Sequence, residues 1–273
     1  MIPQVTTTFA LTVHYGDPVP TRRLIGQLLG STQVPDHIVV VNHADTGPVL
    51  LTAHPRVLVV SQENRGYMAG LAAGFTAVHE KMNPQDIIIG MNNDVSLLPE
   101  TIERVCQWWN QHPQPALAGA KIGHVNMLTG RAHLPDGQAR LAPAPPTVLT
   151  LPYVHGSFLT ARASIFAQLK LPTNLWLYWE DVVLSWRALQ AGVPLKVLPD
   201  IGVTHRDEQD HMSDEKLYYL VRSGAYAMRH DTSGIWKAYW RLMNLARQWY
   251  HRQAGHTIIA RALHDAMKER SNQ

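Results

Sequence analysis

Short apolar segments alternate with segments of helical periodicity along the first two thirds of the chain. The apolar segments are rich in β-branched residues and predict buried strands over residues 5–13, 38–41, 56–60 and 86–91. Between them, apolar residues recur at helical spacing over residues 21–29, 66–79 and after Pro99, a favoured first residue of a helix. Strands and helices alternating in this way predict an α/β fold with a doubly wound, mostly parallel sheet.

The middle of the chain has a different character. Residues 123–152 show no periodicity and contain Pro135-Asp136-Gly137 and a proline-rich segment over 143–146. We interpret this region as an irregular loop that could include a hairpin, because proline, aspartate and glycine favour turns. Further on, a helix is predicted over residues 181–190, and Gly192 ends it.

From residue 213 onward the pattern is helical, with breaks near 230–234 and 254–255. We therefore divide the chain into an α/β domain over residues 1–212 and a helical extension over 213–273. No stretch reaches the roughly 20 apolar residues that a membrane-spanning helix needs, and we read no signal peptide. Any contact with a membrane is then expected to be peripheral.

Composition narrows the functional classes. The net charge is +3 and only 16% of the residues are charged, which argues against a nucleic-acid binder. The mild basic excess suits an anionic small ligand or an anionic membrane surface equally well. Cys106 is the sole cysteine, so no disulfide can form within the chain, and we expect a protein of the reducing cytoplasm.

Polar residues follow each predicted strand. In parallel α/β sheets, ligands bind beyond the carboxyl ends of the strands. The four polar segments there are Tyr15-Gly16-Asp17, Asn42-His43-Ala44-Asp45, Asn64-Arg65-Gly66 and Asn92-Asn93-Asp94. The Asp94 carboxylate could hold a hard divalent cation that bridges a diphosphate. The alternative is a plain turn, which asparagine and aspartate also favour.

Two further positions could carry chemistry. Glu180 and Asp181 begin a predicted helix, where carboxylates commonly serve as caps. The functional alternative is a general base that faces a cleft. His205 follows a short apolar segment, but one of 15 histidines is by itself more often a core or surface residue than a metal ligand.

In combination, these segments resemble the inverting GT-A glycosyltransferases of the family 2 type. Five motifs carry the resemblance, in order over about residues 5–230: the segment 63–70 with Asn64, Gly66 and Gly70; Asn92-Asn93-Asp94; Glu180-Asp181 followed by Arg187; His205; and Tyr218-Tyr219-x-x-Arg222. The last is similar to a helix of bacterial rhamnosyl- and galactofuranosyl-type transferases. The resemblance implies a GT-A fold and transfer of a sugar from a nucleotide sugar, with inversion at the anomeric carbon.

The resemblance also implies roles for individual residues. Asp94 and His205 would hold Mn²⁺ or Mg²⁺ on the diphosphate of the donor. Asp181 would be the general base that takes the proton of the acceptor hydroxyl, and Glu180 would bind a sugar or acceptor hydroxyl. The residues implied for nucleotide-sugar binding are Tyr15, Asn42, Asn64, Arg65, Gly66, Asn92 and Asn93.

Departures from the family pattern leave open the base of the donor and two other functions. Asn42 stands where the family usually has an aspartate that accepts from a uracil or thymine ring, so a dTDP- or UDP-sugar is expected without a choice between bases. Asn92 and Asn93 replace acids, which leaves a non-catalytic nucleotide-sugar-binding protein as one alternative. A nucleotidyltransferase is another, although Tyr15-Gly16-Asp17-Pro18 is a poor cradle for phosphates.

The resemblance implies a saccharide or lipid-linked saccharide as acceptor, in the synthesis of a cell-surface polysaccharide. The predicted helix over 235–251 bears on where this would occur. It carries Trp236, Tyr239, Trp240, Met243 and Tyr250 near one side, with arginines interspersed. This pattern is typical either of an interfacial helix at the inner face of the cell membrane or of a helix packed on the catalytic domain.

Overall fold

A seven-stranded sheet forms the centre of the molecule. The computed structural model describes residues 6–43, 53–133, 149–205 and 213–268. The spatial order of the strands is β11 (Leu195–Val197), β6 (Leu117–Gly119), β10 (Phe158–Arg162), β4 (Ile87–Asn92), β1 (Thr8–His14), β2 (His37–His43) and β3 (Val57–Gln62). All neighbouring strands are parallel except that β10 runs antiparallel to β4 and β6. The predicted mostly parallel sheet is therefore confirmed.

Helices cover both faces of this sheet, as a doubly wound fold requires. They are α1 (Pro18–Leu29), α2 (Tyr67–Val78), α3 (Thr101–Gln111), α4 (Ala163–Gln168) and α5 (Glu180–Gln190). Side chains alternate between faces along a strand, so Phe9 and Leu11 of β1 pack in one core with α2, α4 and α5. Ala10 faces the opposite core, which it shares with α1 and α3.

Two small antiparallel sheets lie outside the central one. The strands β5 (Val95–Leu97) and β12 (Val203–His205) pair with each other, and β7 (Ile122–Asn126) pairs with β8 (Arg131–His133) and β9 (Thr150–Val154). The hairpin suggested within 123–152 is thus present and is formed by β7 and β8. The prediction of an irregular loop is wrong for both ends of this range, which belong to β7 and β9. Gly123 and Pro152 obscure the strand alternation in the sequence. Pro135-Asp136-Gly137 and residues 143–146 lie outside the described residues.

Three helices follow at the C-terminal end: α6 (Asp214–His230), α7 (Gly234–Gln253) and α8 (Thr257–Lys268), with the predicted breaks between them. The side of α7 that carries Trp236, Tyr239, Trp240 and Met243 packs on the rest of the molecule, whereas Tyr250 is exposed. Trp240 is 1% exposed and its Nε1 donates a hydrogen bond to the carbonyl oxygen of Met127 at 3.0 Å. Within the described ranges, no helix combines the length and apolar character needed to cross a membrane.

Candidate functional site

The carboxyl ends of the parallel strands meet at one edge of the sheet, as predicted. The strand register places Val13 beside Asn92, and His14 beside Asn42. A cleft of about 460 Å³ opens there, which is within the usual size range of small-ligand sites. Part of its wall comes from the strand ends (Val13, Tyr15, His43 and Asn92 to Asp94) and from the start of α2 with the turn before it (Asn64, Gly66 and Tyr67). The rest comes from Gly156–Ser157, from Trp176, Leu177, Tyr178, Glu180 and Asp181, and from the start of α6 (Ser213, Glu215 and Lys216). We call this space the central cleft.

Most of the residues implied by the resemblance line the central cleft, but Asn42, Arg65 and His205 do not. Asn42 is 5% exposed, below the surface of the sheet edge. Arg65 points to solvent, where its guanidinium lies 2.9 Å from the carboxylate of Glu63. In their place the structure brings His43 and Tyr67 into the cleft walls.

The turn after β4 is held by α1. The side-chain amide of Asn93 donates a hydrogen bond to Thr21 Oγ1 at 2.9 Å, and Arg23 donates to the carbonyl oxygen of Asp94 at 3.0 Å. These contacts fix the direction in which the Asp94 carboxylate leaves the sheet edge. Asn93 therefore has a structural role in addition to its place in the cleft wall.

His205 reaches Asp94 because β12 pairs with β5 directly beside the turn. Its Nε2 lies 3.2 Å from Asp94 Oδ1 and 3.3 Å from the side-chain amide of Asn92. Burial raises the pKa of Asp94, but the hydrogen bond and charge of His205 and the charge of Arg23 together lower it below its ordinary value. Asp94 is consequently an anionic carboxylate at neutral pH.

The site fits a divalent cation. Asp94 Oδ1 is buried and has the imidazole Nε2 of His205 at 3.2 Å. Within the described ranges, no three acidic, histidine or cysteine residues are grouped so that they could hold a metal ion together, so these two would supply the protein ligands of a Mn²⁺ or Mg²⁺ ion. Diphosphate oxygens and water would complete its coordination.

The charge of the central cleft is a second reason to expect a cation. Its described walls hold four acidic residues, Asp94, Glu180, Asp181 and Glu215, of which Glu180 is mostly neutral at pH 7, whereas Lys216 is the one ammonium or guanidinium group. Burial, followed by the charges of the first three carboxylates, raises the pKa of Tyr67 well above its ordinary value. A diphosphate would be repelled from such walls unless a cation accompanied it.

Gly66 connects two walls of the cleft. Its φ is 93°, and a Cβ atom there would lie 2.3 Å from the carbonyl oxygen of Trp176. Only glycine fits, because both the backbone conformation and the contact with backbone exclude a side chain. The Asn64 side chain accepts a hydrogen bond from the Gly66 amide at 3.1 Å and so stabilises the turn that leads into α2.

The carboxylate pair follows two residues in a strained conformation. Tyr178 and Trp179 have φ values of 65° and 70°, which are uncommon for residues with side chains. Helix α6 supports this segment: Ser223 Oγ donates to the carbonyl oxygen of Leu177 at 2.8 Å, and Gly224 lies against the indole of Trp179. The helical extension thus takes part in building the site, which sequence analysis did not anticipate.

Glu180 and Asp181 differ in environment. Asp181 accepts hydrogen bonds from the Gly156 amide at 2.9 Å and the Val182 amide at 2.8 Å, which orient its carboxylate. Glu180 Oε2 is buried without a hydrogen-bond partner. Burial, and then the charge of Asp181, raise the pKa of Glu180 to about 8. Glu180 is therefore mostly protonated at pH 7 and suited to donate a hydrogen bond, which leaves Asp181 to accept a proton.

We expect Glu180→Gln to stabilise the fold in a pH-dependent way. The pKa of Glu180 is about 8 in the folded chain against an ordinary value of 4.5, so the wild type loses stability as pH rises from about 4.5 to about 8. Glutamine stays neutral and avoids this loss, which is on the order of 3 kcal/mol at pH 7. Melting temperatures from pH 5 to pH 9 should diverge, with the variant higher at pH 8. If the melting temperatures of the two proteins change in parallel with pH, Glu180 ionises as easily in the folded chain as in the unfolded one.

Comparisons with known proteins bear on the fold. The chain matches no protein-family model and no curated protein. The structure of Staphylococcus aureus TarS 1–349 matches with a TM-score of 0.53 at 12% identity, over 86% of this chain and 68% of that one. Its complex with UDP gives 0.47 at 13% identity, over 90% and 71%. The Francisella tularensis cytidylyltransferase IspD gives 0.44 at 10% identity, over 78% and 98%. TarS is a GT-A glycosyltransferase, so the predicted GT-A fold is confirmed.

Proposed function

We propose that this chain is an inverting, metal-dependent glycosyltransferase that moves a sugar from a nucleotide sugar to a saccharide or lipid-linked saccharide. One observation carries the proposal. At the ligand edge of a GT-A sheet, the Asp94–His205 pair reaches the central cleft through Asp94, and the Glu180–Asp181 pair lines the same cleft. The first pair suits a leaving diphosphate with its cation, and the second suits an attacking hydroxyl. Release of nucleoside diphosphate from a nucleotide sugar is the direct test.

The residues of the cleft divide the reaction between them. Asp94 and His205 would hold a Mn²⁺ or Mg²⁺ ion, which would neutralise the charge that builds on the diphosphate. Asp181, oriented by two backbone amides, takes the proton of the acceptor hydroxyl. The acceptor oxygen bonds to the anomeric carbon as the bond to the diphosphate breaks on the opposite face, and the configuration inverts. Protonated Glu180 donates a hydrogen bond to a substrate hydroxyl.

A pyrimidine donor, dTDP- or UDP-linked, fits the strand ends. The side-chain oxygen of Asn42 can accept a hydrogen bond from the ring N–H of uracil or thymine. Since Asn42 and His43 are only 5% and 2% exposed, Tyr15, which is 62% exposed, is the residue at these strand ends that a base would contact first.

The proposed site of action is the inner face of the cell membrane, and the outward side of α7 supports it. Four large apolar residues are exposed within roughly 80° of the helix circumference: Ile235 (78%), Leu242 (69%), Leu245 (51%) and Trp249 (67%). We call them the outer stripe of α7. Exposed Lys237, Arg241 and Arg252 lie along one side of it, and α7 contains no acidic residue. An apolar stripe beside basic residues matches an anionic lipid surface. The outer stripe differs from the aromatic side that sequence analysis singled out, which is packed except for Tyr250.

We expect the protein to co-sediment with phosphatidylglycerol-containing vesicles, less so at high salt. The double variant Leu242→Gln/Trp249→Gln should weaken binding about tenfold or more, since each apolar side chain that enters lipid contributes on the order of 1.5–3 kcal/mol. Val19→Gln, which replaces an exposed apolar residue of α1, is the matched control and should change nothing. If the double variant binds the vesicles as well as the wild type, the outer stripe is not the surface that contacts lipid. Surface substitutions are preferable to deleting 235–273, because the deletion would uncover the core around Trp240.

A further inference from the structure

A second groove adjoins the central cleft. Its volume is about 390 Å³, and it lies between the segment before α5, helix α6 and helix α8. Its walls are formed by Trp176, Tyr218, Tyr219, Arg222, Asp265 and Lys268. Trp176 also lines the central cleft, so the two spaces share a wall. The residues Tyr218, Tyr219 and Arg222 are those of a motif to which the resemblance gave no role.

Two aromatic rings offer an open surface in this groove. The ring centroids of Trp176 and Tyr219 are 6.2 Å apart, with an angle of 32° between the ring planes. Tyr218 is fixed differently, because its hydroxyl donates to Asp265 Oδ2 at 2.7 Å and the guanidinium of Arg261 lies 5.4 Å from its ring. Aromatic faces of this kind pack well against the C–H face of a sugar ring, whose hydroxyl groups can stay in water.

The charge of the groove is opposite to that of the central cleft. Among the described residues, Arg222 and Lys268 lie in its walls and Arg261 lies at its edge, and Asp265 is the one acidic residue there. That carboxylate already accepts from Tyr218 and has the Arg261 guanidinium at 3.7 Å. An anionic group of a ligand would therefore be attracted to the groove and repelled by the carboxylates next door.

We propose that this groove binds the acceptor, and that the acceptor is a saccharide carrying an anionic oxygen group, either carboxylate or phosphate. Trp176 and Tyr219 hold its sugar ring, while Arg222 and Lys268 hold the anionic group. The inference rests on the proposed function, because it requires that the reaction takes place in the central cleft. An acceptor in the groove would reach that cleft past the shared wall at Trp176. The two sources of the anionic group, an acidic sugar and a sugar phosphate, are separated by experiment.

Saturation-transfer NMR on the full chain can measure binding of three probes: methyl β-glucuronide, glucose 6-phosphate and methyl β-glucoside. The better anionic probe should bind about tenfold more tightly than the neutral glucoside at low salt, since a charge-assisted hydrogen bond contributes that much. Arg222→Gln and Lys268→Gln should each reduce this preference, and Tyr219→Ala should weaken all three probes. Lys196→Gln, an exposed lysine on β11, is the control and should leave binding unchanged.

Equal binding of the three probes to the wild type would overturn the inference, as would an anionic preference that persists in both charge variants. Lys268 is exposed near the end of α8, so Lys268→Gln keeps the test valid if Arg222→Gln does not fold. Nucleoside diphosphate release without acceptor is followed in parallel. If release occurs but the probes bind equally, the acceptor inference alone is wrong. If the probes bind as expected but no nucleotide sugar is consumed, the proposed function is wrong.

Discussion

Replacing Asp181 with asparagine is expected to lower turnover about a thousandfold or more while leaving donor affinity nearly unchanged. The reason is the loss of the proton acceptor for the acceptor hydroxyl, a role worth on the order of 10²–10⁴ in rate. Asparagine has one acceptor oxygen, whereas Asp181 accepts from the amides of both Gly156 and Val182. A loss of stability of about 1 kcal/mol should accompany the substitution. Turnover, donor affinity and melting temperature together test this expectation.

Glu180→Gln is the matched control for Asp181→Asn. It makes the same chemical change on the neighbouring residue but retains the proposed base, so the fall in turnover should be much smaller. Asp181→Asn with turnover within tenfold of the wild type would remove Asp181 from the role of base. An equally large fall in both variants would instead show that the two carboxylates act as one unit.

Removal of divalent cations is expected to abolish transfer. Four acidic residues line the central cleft, of which Glu180 is mostly neutral at pH 7, and Lys216 is the one ammonium or guanidinium group among its described walls. We therefore expect the diphosphate to depend on a cation held by Asp94 and His205. Asp94→Asn and His205→Gln should each lower turnover on the order of 100-fold or more, as expected when a group that stabilises developing charge is lost.

Electron paramagnetic resonance of Mn²⁺ gives a readout of the ion that does not depend on turnover. The wild type with a nucleoside diphosphate should bind Mn²⁺, and the two variants should bind it more weakly. Asp17→Asn is the control, because Asp17 lies at the same sheet edge but caps α1 by accepting from the Val19 amide. Full activity in the presence of a chelator would contradict the metal assignment.

Local patterns were sufficient to predict the sheet and the place of the site. The strands β1, β2 and β4 are continuous apolar segments, and Gly192, with φ of 74°, follows the end of α5 as expected. Each of these features depends on a few consecutive residues. The resemblance then placed Asp94, His205, Glu180 and Asp181 at one site, and the fold brings all four together.

Features that depend on distant contacts were not predictable. Neighbouring strand residues face opposite sides, so a choice between Asn42 and His43 needs the packing of α2 on the sheet. The side of α7 that remains exposed depends on which side covers the core around Met127. The contribution of α6 follows from the contact of Gly224 with Trp179, which are 45 positions apart in the printed sequence. Periodicity within a helix carries no information on such partners.

Phosphorus NMR tests the central claim most directly. The wild type is incubated with Mn²⁺, a panel of UDP- and dTDP-sugars and the corresponding nucleoside triphosphates with sugar 1-phosphates, and Asp181→Asn serves as the inactive control. A glycosyltransferase transfers the sugar of a nucleotide sugar slowly to water when no saccharide acceptor is present and releases free nucleoside diphosphate, and this release should depend on Asp181. Release of pyrophosphate from the triphosphates would instead identify a nucleotidyltransferase. No consumption of any nucleotide sugar, despite tight binding, would identify a non-catalytic binding protein, and either of these two results would contradict the proposed function.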